Sequence, residues 1–230
     1  MFVRFALAEG ARVDLDAGQA NYLGNVMRLG EGAEVLLFDG SSGEWIGRIA
    51  EAGKKRMALT VERRTREAEA IPDVWLAFAP VKRTQTDWLV EKATELGVAK
   101  LIPVMTQRTI AERVKLERLE AIAIEAAEQC GRTRLPEIVK PVPLAHLLTE
   151  DGRTLYFADE AGGEPVASAF RPGAATILTG PEGGFTDEER AKIRAARQAV
   201  PISLGPRILR AETAALASLA AYMAVAGDWR

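Results

Sequence analysis

The sequence predicts an α/β protein in two parts: a small β domain over residues 1–70, and a larger domain over residues 71–230 built on a mostly parallel sheet covered by helices. Three observations carry this reading. Apolar and polar residues alternate at strand spacing through the first seventy or so positions, and beyond them short apolar runs alternate with helical periods. Between the two, Arg63 to Pro72 is charged, lacks periodicity and ends in a proline, which is the character of a linker.

In the first part, Phe2 to Phe5, Glu34 to Phe38, Trp45 to Ile49 and Met57 to Val61 read as strands. Asp39-Gly40-Ser41-Ser42-Gly43 supplies a hairpin turn, because Asp and Gly tolerate the positive φ that such turns need. Residues Asp16 to Arg28 read as one inserted helix. In the second part the strands are Val74 to Ala79, Leu101 to Met105, Leu155 to Ala158, Thr176 to Thr179 and Pro201 to Leu204. Leu89, Ala93 and Leu96 recur at helical spacing, and Gly97 stands where a left-handed cap belongs. A helix from Glu112 to Cys130 would align Leu116, Leu119, Ala123, Ala126 and Cys130 on one face. Thr186-Asp187-Glu188-Glu189 is a capping-box sequence, so Gly180 to Phe185 forms a strand-to-helix loop. The Ala-rich stretch from Glu212 to Ala226 reads as a buried helix.

Composition narrows the function classes. With 48% apolar and 27% charged residues, the chain is an ordinary globular sequence rather than a disordered or fibrous one. Its uncharged run between Glu212 and Asp228 is too short to span a bilayer, and the N-terminus lacks a signal-peptide core, so cytoplasmic residence is expected. One cysteine and one histidine exclude an internal disulfide and leave too few soft ligands for a structural zinc, so no metal is expected. A net charge of −2 argues against indiscriminate coating of nucleic acid, yet Arg48 to Arg66 holds seven basic residues against two acidic ones. A solvated strand edge explains that run as well as an RNA contact does.

Two loops could carry chemistry. Leu178-Thr179-Gly180-Pro181-Glu182-Gly183-Gly184-Phe185 leaves a strand and enters a helix, where open α/β sheets bind ligands. A tight turn explains these glycines too. The dinucleotide fingerprint and the phosphate loop are both missing, which removes the usual support for hydride transfer and nucleotide hydrolysis. The next strand runs into Leu204-Gly205-Pro206-Arg207-Ile208-Leu209-Arg210-Ala211-Glu212-Thr213, again at a helix entry. Glu212 suits the positive end of a helix, whereas Arg210 opposes it and implies an anionic partner such as RNA phosphate or a developing negative charge.

These two loops, with Glu95 to Val98, Glu128 to Ile138 and Phe38 to Gly40 in the same order, resemble the 16S ribosomal RNA uridine N3-methyltransferase family, a branch of the SPOUT methyltransferases. The resemblance spans nearly the whole chain. It implies a PUA-like RNA-binding β barrel over residues 1–70, a SPOUT domain with a trefoil knot over residues 71–230, and a homodimer. It also implies transfer of a methyl group from S-adenosylmethionine to N3 of a uridine in 16S rRNA, free or in the small ribosomal subunit. The cofactor positions that match are Leu178, Gly180, Glu182, Gly184, Leu204, Gly205, Ile208, Leu209 and Thr213. Charge on the uracil carbonyls needs a cationic donor, for which Arg210 is the first candidate and Arg132 the second; Glu212 would accept the proton or orient Arg210.

RNA contacts are expected at Arg4, Tyr22, Arg28, Lys54, Lys55, Arg56, Lys82 and Arg83. Relatives often carry His and Arg where this chain has Tyr22 and Asn25, so Tyr22 could stack on a base instead. Cys130, at a predicted helix C-terminus that disfavours thiolate, is not expected to be a nucleophile, and His146 in PLAHLL is expected to serve the surface or core. Two alternatives stay open from the residues: a SPOUT enzyme acting on another rRNA or tRNA nucleotide, and a noncatalytic RNA-binding protein of ribosome assembly.

Overall fold

The computed structural model describes residues 1–53, 56–110 and 114–229. The chain forms two compact units, Met1–Ala70 with Ala127–Leu135, and Ile71–Ala126 with Pro136–Arg230.

The first unit is a four-stranded antiparallel sheet of β1 (Arg12–Asp14), β2 (Glu34–Phe38), β3 (Glu44–Ala52) and β4 (Met57–Arg66), in the order β1-β4-β3-β2. Its core holds Val3, Leu7, Val13, Leu23, Leu37, Ile49, Met57, Leu59 and Val61. The β2–β3 hairpin closes on Asp39, whose carboxylate accepts from the N–H groups of Ser41, Ser42 and Leu7 at 2.8, 2.7 and 3.1 Å. Burial opposes the charged carboxylate, but these bonds outweigh it and hold its pKa down at about 2.

Several expectations change here. Phe2 makes only an isolated bridge to Phe38, and the first strand is Arg12–Asp14, too short to leave a periodic signal. Asp16 caps α1 (Ala17–Asn21), but the helix then widens into a π turn over Tyr22–Val26, closed by Met27 N–H to Tyr22 C=O at 2.9 Å. Strand β4 continues through Arg66, so Arg63 to Arg66 are not linker. Pairing with β3 draws them in: Arg66 meets Glu44 in register and forms an ion pair with it at 3.2 Å, and the Arg64 guanidinium lies 5.8 Å from the Trp45 ring centroid.

The second unit is built on strands paired in parallel throughout the described residues: β5 (Val74–Phe78), β6 (Lys100–Met105), β7 (Glu137–Ile138), β8 (Val142–Pro143), β9 (Thr154–Ala158), β10 (Glu164–Pro165), β11 (Ala175–Thr179) and β12 (Ala199–Ser203). Their order is β10-β12-β9-β11-β5-β6-β7, with β8 also beside β6. The helices are α2 (Arg83–Glu95), α3 (Leu116–Cys130), α4 (Leu144–Leu147), α5 (Val166–Ala169), α6 (Asp187–Ala195) and α7 (Ala211–Val225). The last turn of α3 belongs to the first unit.

Both faces of this sheet are buried, as a parallel sheet requires. Val74, Leu76 and Phe78 of β5 join Tyr156, Ala175 and Ile177 in a cluster with Leu89, Ala93, Leu119, Leu219, Tyr222 and Met223 from α2, α3 and α7. Ala77 faces the other way, with Ile102, Phe157, Leu178, Phe185 and Ile193. The Ala-rich helix therefore buries one face in the core of its own unit. Gly97 ends α2 at φ 91°, and Thr186 and Glu189 form both bonds of the capping box. Cys130 departs from expectation: it is exposed, and Ala127 takes its place on the buried face of α3. The start expected for that helix, Glu112, lies outside the described residues. His146 is exposed. Among the described residues no helix is long and apolar enough to cross a membrane.

Candidate functional site

Strands β9, β11 and β12 are neighbours, and all three point the same way, so the segments leaving their carboxyl ends converge. They enclose a cavity of about 700 Å³, within the range of small-molecule sites. Asp159 and Glu160 after β9, Gly180, Pro181, Glu182 and Gly184 after β11, and Ser203 at the end of β12 with Leu204 to Arg210 after it supply most of its wall. The two loops singled out in the sequence thus form one site, although about twenty residues separate them along the chain.

Each loop has a local reason for its glycines. A Cβ on Gly180 would stand 2.9 Å from the Phe185 ring, and Phe185 is itself buried edge-on against Phe157, with ring centroids 5.4 Å apart. Gly180 therefore lets the strand end and the returning Phe185 touch. Gly205 takes φ 101° with open space around its Cα, so it is the backbone conformation and not crowding that requires glycine there. The first loop is also braced from outside: Arg108, after β6, donates from Nη1 to the Gly183 carbonyl at 2.7 Å, and Gln107 N–H donates to Glu189 at 2.8 Å.

Of the expected cofactor positions, Gly180, Glu182, Gly184, Leu204, Gly205, Ile208 and Leu209 line the cavity. Leu178 and Thr213 do not: the Leu178 side chain is fully buried in the core beneath, and Thr213 is exposed on the first turn of α7. Arg210 lies on the cavity wall as the N-cap residue of α7, exposed and without an ion pair among the described residues. Glu212 is buried in the same first turn, outside the cavity lining, and its Oε2 makes no hydrogen bond. Arg132 belongs to the first unit, where its guanidinium pairs with Glu69 at 3.5 Å while the N–H groups of Thr133 and Arg134 donate to the same carboxylate.

Sequence reasoning passed over Asp159, Glu160, Arg190 and Arg207, all of which line the cavity. A signal existed, since Asp159 and Glu160 follow a strand that the apolar pattern had located, and the rule of ligands at strand ends applies there too. Asp159 is committed to structure: its buried carboxylate takes Arg190 Nε at 3.2 Å, Arg194 Nη2 at 2.5 Å and the Ala161 N–H at 2.9 Å. Glu160 pairs with Arg190 at 2.5 Å and remains on the wall. The cavity thus carries carboxylates at Glu160 and Glu182 and exposed cations at Lys82, Arg207 and Arg210.

Of the expected RNA contacts, Arg4, Tyr22, Arg28 and Arg56 are exposed on the first unit, and Lys82 and Arg83 are exposed on the second; Lys54 and Lys55 lie outside the described residues. Arg28 adopts φ 57°, left-handed for a non-glycine residue. Part of the basic run is spent on ion pairs, Arg48 with Glu34 and Glu62 and Arg64 with Glu67.

Comparison with known proteins shows the family. Residues 68–223 match the RNA methyltransferase domain family, and residues 15–62 match the RNA methyltransferase PUA domain. The ribosomal RNA small subunit methyltransferase E of Rickettsia conorii is 30% identical over 226 residues, 96% of this chain and 93% of that protein. Among solved structures, a ribosomal RNA small subunit methyltransferase E from Neisseria gonorrhoeae bound to S-adenosyl methionine superposes with a TM-score of 0.91 at 27% identity, covering 100% of this chain and 98% of that one. A putative methyltransferase from Legionella pneumophila in complex with the same cofactor gives 0.87 at 29% identity, covering 99% and 97%.

Proposed function

The chain belongs to the RNA methyltransferase family, and we propose that it transfers a methyl group from S-adenosylmethionine to N3 of a specific uridine in 16S ribosomal RNA. The observation that carries this is the convergence of the two glycine loops into one cavity whose lining includes carboxylates at Glu160 and Glu182 and exposed cations at Lys82, Arg207 and Arg210. Two relatives of similar fold hold the same cofactor. In this reading residues 1–70 form the RNA-binding domain and residues 71–230 the methyltransferase domain, with the loops around the cavity forming a trefoil knot, and the enzyme works in the cytoplasm as a homodimer on 16S rRNA or the small ribosomal subunit.

The residues present fit the cofactor. Glu182 places negative charge on the wall, which favours a cation, and a Cβ on Gly184 would stand 3.0 Å from the Glu160 carboxylate, so glycine keeps that part of the wall open. Gly180, Glu182, Gly184, Leu204, Gly205, Ile208 and Leu209 would hold it; Leu178 and Thr213, the other two positions of the resemblance, stand outside the cavity lining. When bound, S-adenosylmethionine supplies an electrophilic methyl group on a positively charged sulfur.

The remaining work falls to side chains. As the N3 proton leaves, negative charge spreads onto the uracil carbonyl oxygens, and a fixed cation stabilises it. Arg210 has the position and the freedom to do this, since no carboxylate among the described residues holds it and the adjacent helix N-terminus adds its own positive potential. Arg132, secured by Glu69 in the first unit, is the second candidate. Glu212, buried in the first turn of α7 and not paired with Arg210 among the described residues, would take its role of orienting Arg210 or accepting the proton only once RNA is bound. Lys82 and Arg83, with Arg4, Arg28 and Arg56 of the first unit and the exposed Tyr22 as a stacking surface, serve as RNA contacts.

The test is methylation of 16S rRNA and of small subunits with isotopically labelled cofactor, followed by nucleoside digestion. Label in 3-methyluridine is the expected result. Label in another nucleoside would move the protein to a different RNA position, and cofactor binding without any transfer would make it a noncatalytic RNA-binding protein.

A further inference from the structure

A second, smaller cavity of about 300 Å³ adjoins the first and shares Lys82, Pro181 and Glu182 with it. It lies between the loop from β5 into α2, the segment after β6 and the start of α3. Val81, Val114 and Leu119 contribute an apolar lining. Its rim is basic: Lys82, Arg83 and Lys115 are exposed cations without ion pairs among the described residues. Arg118 is instead clamped by Asp87, with Nε at 2.9 Å and Nη2 at 2.6 Å from the carboxylate. Ile110 stands 74% exposed at the edge.

We propose that this cavity receives the acceptor nucleotide of the RNA, turned out of its stack, with the base on the apolar lining and its flanking phosphates on Lys82, Arg83 and Lys115. The inference rests on the methyl-transfer reading above and locates that reaction's second substrate. Transfer demands that the accepting atom meet the methyl group, so the base must enter a space continuous with the cofactor cavity. A buried base edge cannot be reached within a helix, so enzymes acting on single bases extrude them into a pocket of about nucleotide size. Apolar walls for a base and cations without ion pairs among the described residues for phosphate match that ligand.

Uridine 5′-monophosphate titrated into the cofactor-loaded protein, followed by nuclear magnetic resonance, tests this directly. Shifts are expected at residues 81–87, 108 and 114–119, and Val114→Trp, which fills the cavity, should weaken binding about tenfold or more. In methylation assays the same variant should lose kcat/KM for RNA by a similar factor while its calorimetric Kd for S-adenosylmethionine stays within about twofold of wild type. If Val114→Trp lowers the melting temperature, the exposed Lys115→Glu supplies the same readouts. Shifts confined to other residues, no binding of the nucleotide, wild-type kcat/KM in both variants, or a parallel loss of cofactor affinity would each overturn the assignment. A wild-type protein that methylates no RNA would defeat the reading of the activity, while the nucleotide shifts would still decide the cavity.

Discussion

Arg108 Nη1 donates to the carbonyl oxygen of Gly183 at 2.7 Å, across 75 residues of chain. This bond fastens the turn after β6 to the loop after β11, which is also closed by its own bond from the Gly184 N–H to the Pro181 carbonyl at 2.9 Å. A hydrogen bond from a charged donor contributes about 1.5–3 kcal/mol, less at an exposed site such as this one. Arg108→Ala should therefore raise the Kd for S-adenosylmethionine about tenfold by calorimetry, with little change in melting temperature. Unchanged affinity would show that the loop holds its shape without the brace.

Arg210→Ala should lower kcat about a hundredfold or more while leaving cofactor binding largely intact. Its effect on stability has the opposite sign. A cation at a helix N-terminus is unfavourable by about 0.3–1 kcal/mol, so the variant should unfold at an equal or slightly higher temperature. Wild-type turnover would remove Arg210 from the mechanism.

Gly180→Ala places a methyl group 2.9 Å from a ring that Phe157 prevents from swinging aside. Overpacking of this kind costs about 1–3 kcal/mol, visible as a lower urea midpoint and weaker cofactor binding. Adding Phe185→Leu should recover part of both losses, and no recovery would mean that the backbone at 180, not the ring contact, sets the requirement.

Asp39 makes the first unit acid-sensitive. Its pKa is lowered from 3.8 to about 2 in the folded chain, so its contribution is full above the unfolded value and is lost as pH falls toward the folded one. Allowing for its partial exposure, Asp39→Asn should cost about 1 kcal/mol near neutral pH. The gap between variant and wild type in denaturant melts should close between about pH 4 and pH 2. A gap that persists at pH 2 would point to the side-chain geometry and not to the charge.

Cys130→Ser should retain full activity, since Cys130 is exposed at the C-terminal end of α3, where its thiol donates to the Ala127 carbonyl at 3.8 Å. Loss of transfer would call for a covalent mechanism.

How far the sequence could be read followed from the range of the forces involved. Strand β5 announces itself because a buried parallel strand must be apolar on both faces, and α6 because its capping box is a bond between residues three apart. The π turn at Tyr22–Val26 left no such trace: one extra residue per turn changes which side chains face out, and the apolar spacing fits either winding. Arg63 to Arg66 read as linker because they are charged, whereas their strand exists through pairing with β3, a contact that lies outside any local window.

The same division holds for the site. Residue types and local order by themselves determined that two glycine loops leave strand ends, that a cation sits against the first turn of α7, and that the chain resembles RNA methyltransferases. Only the tertiary structure decided that β11 lies between β5 and β9 with β12 on the far side of β9, which puts three strand ends on one cavity and adds Glu160 and Arg190 to its wall. It also decided that the second cavity shares Lys82, Pro181 and Glu182 with the first. Strand order is chosen by burial summed over the whole sheet, and no segment carries that sum alone.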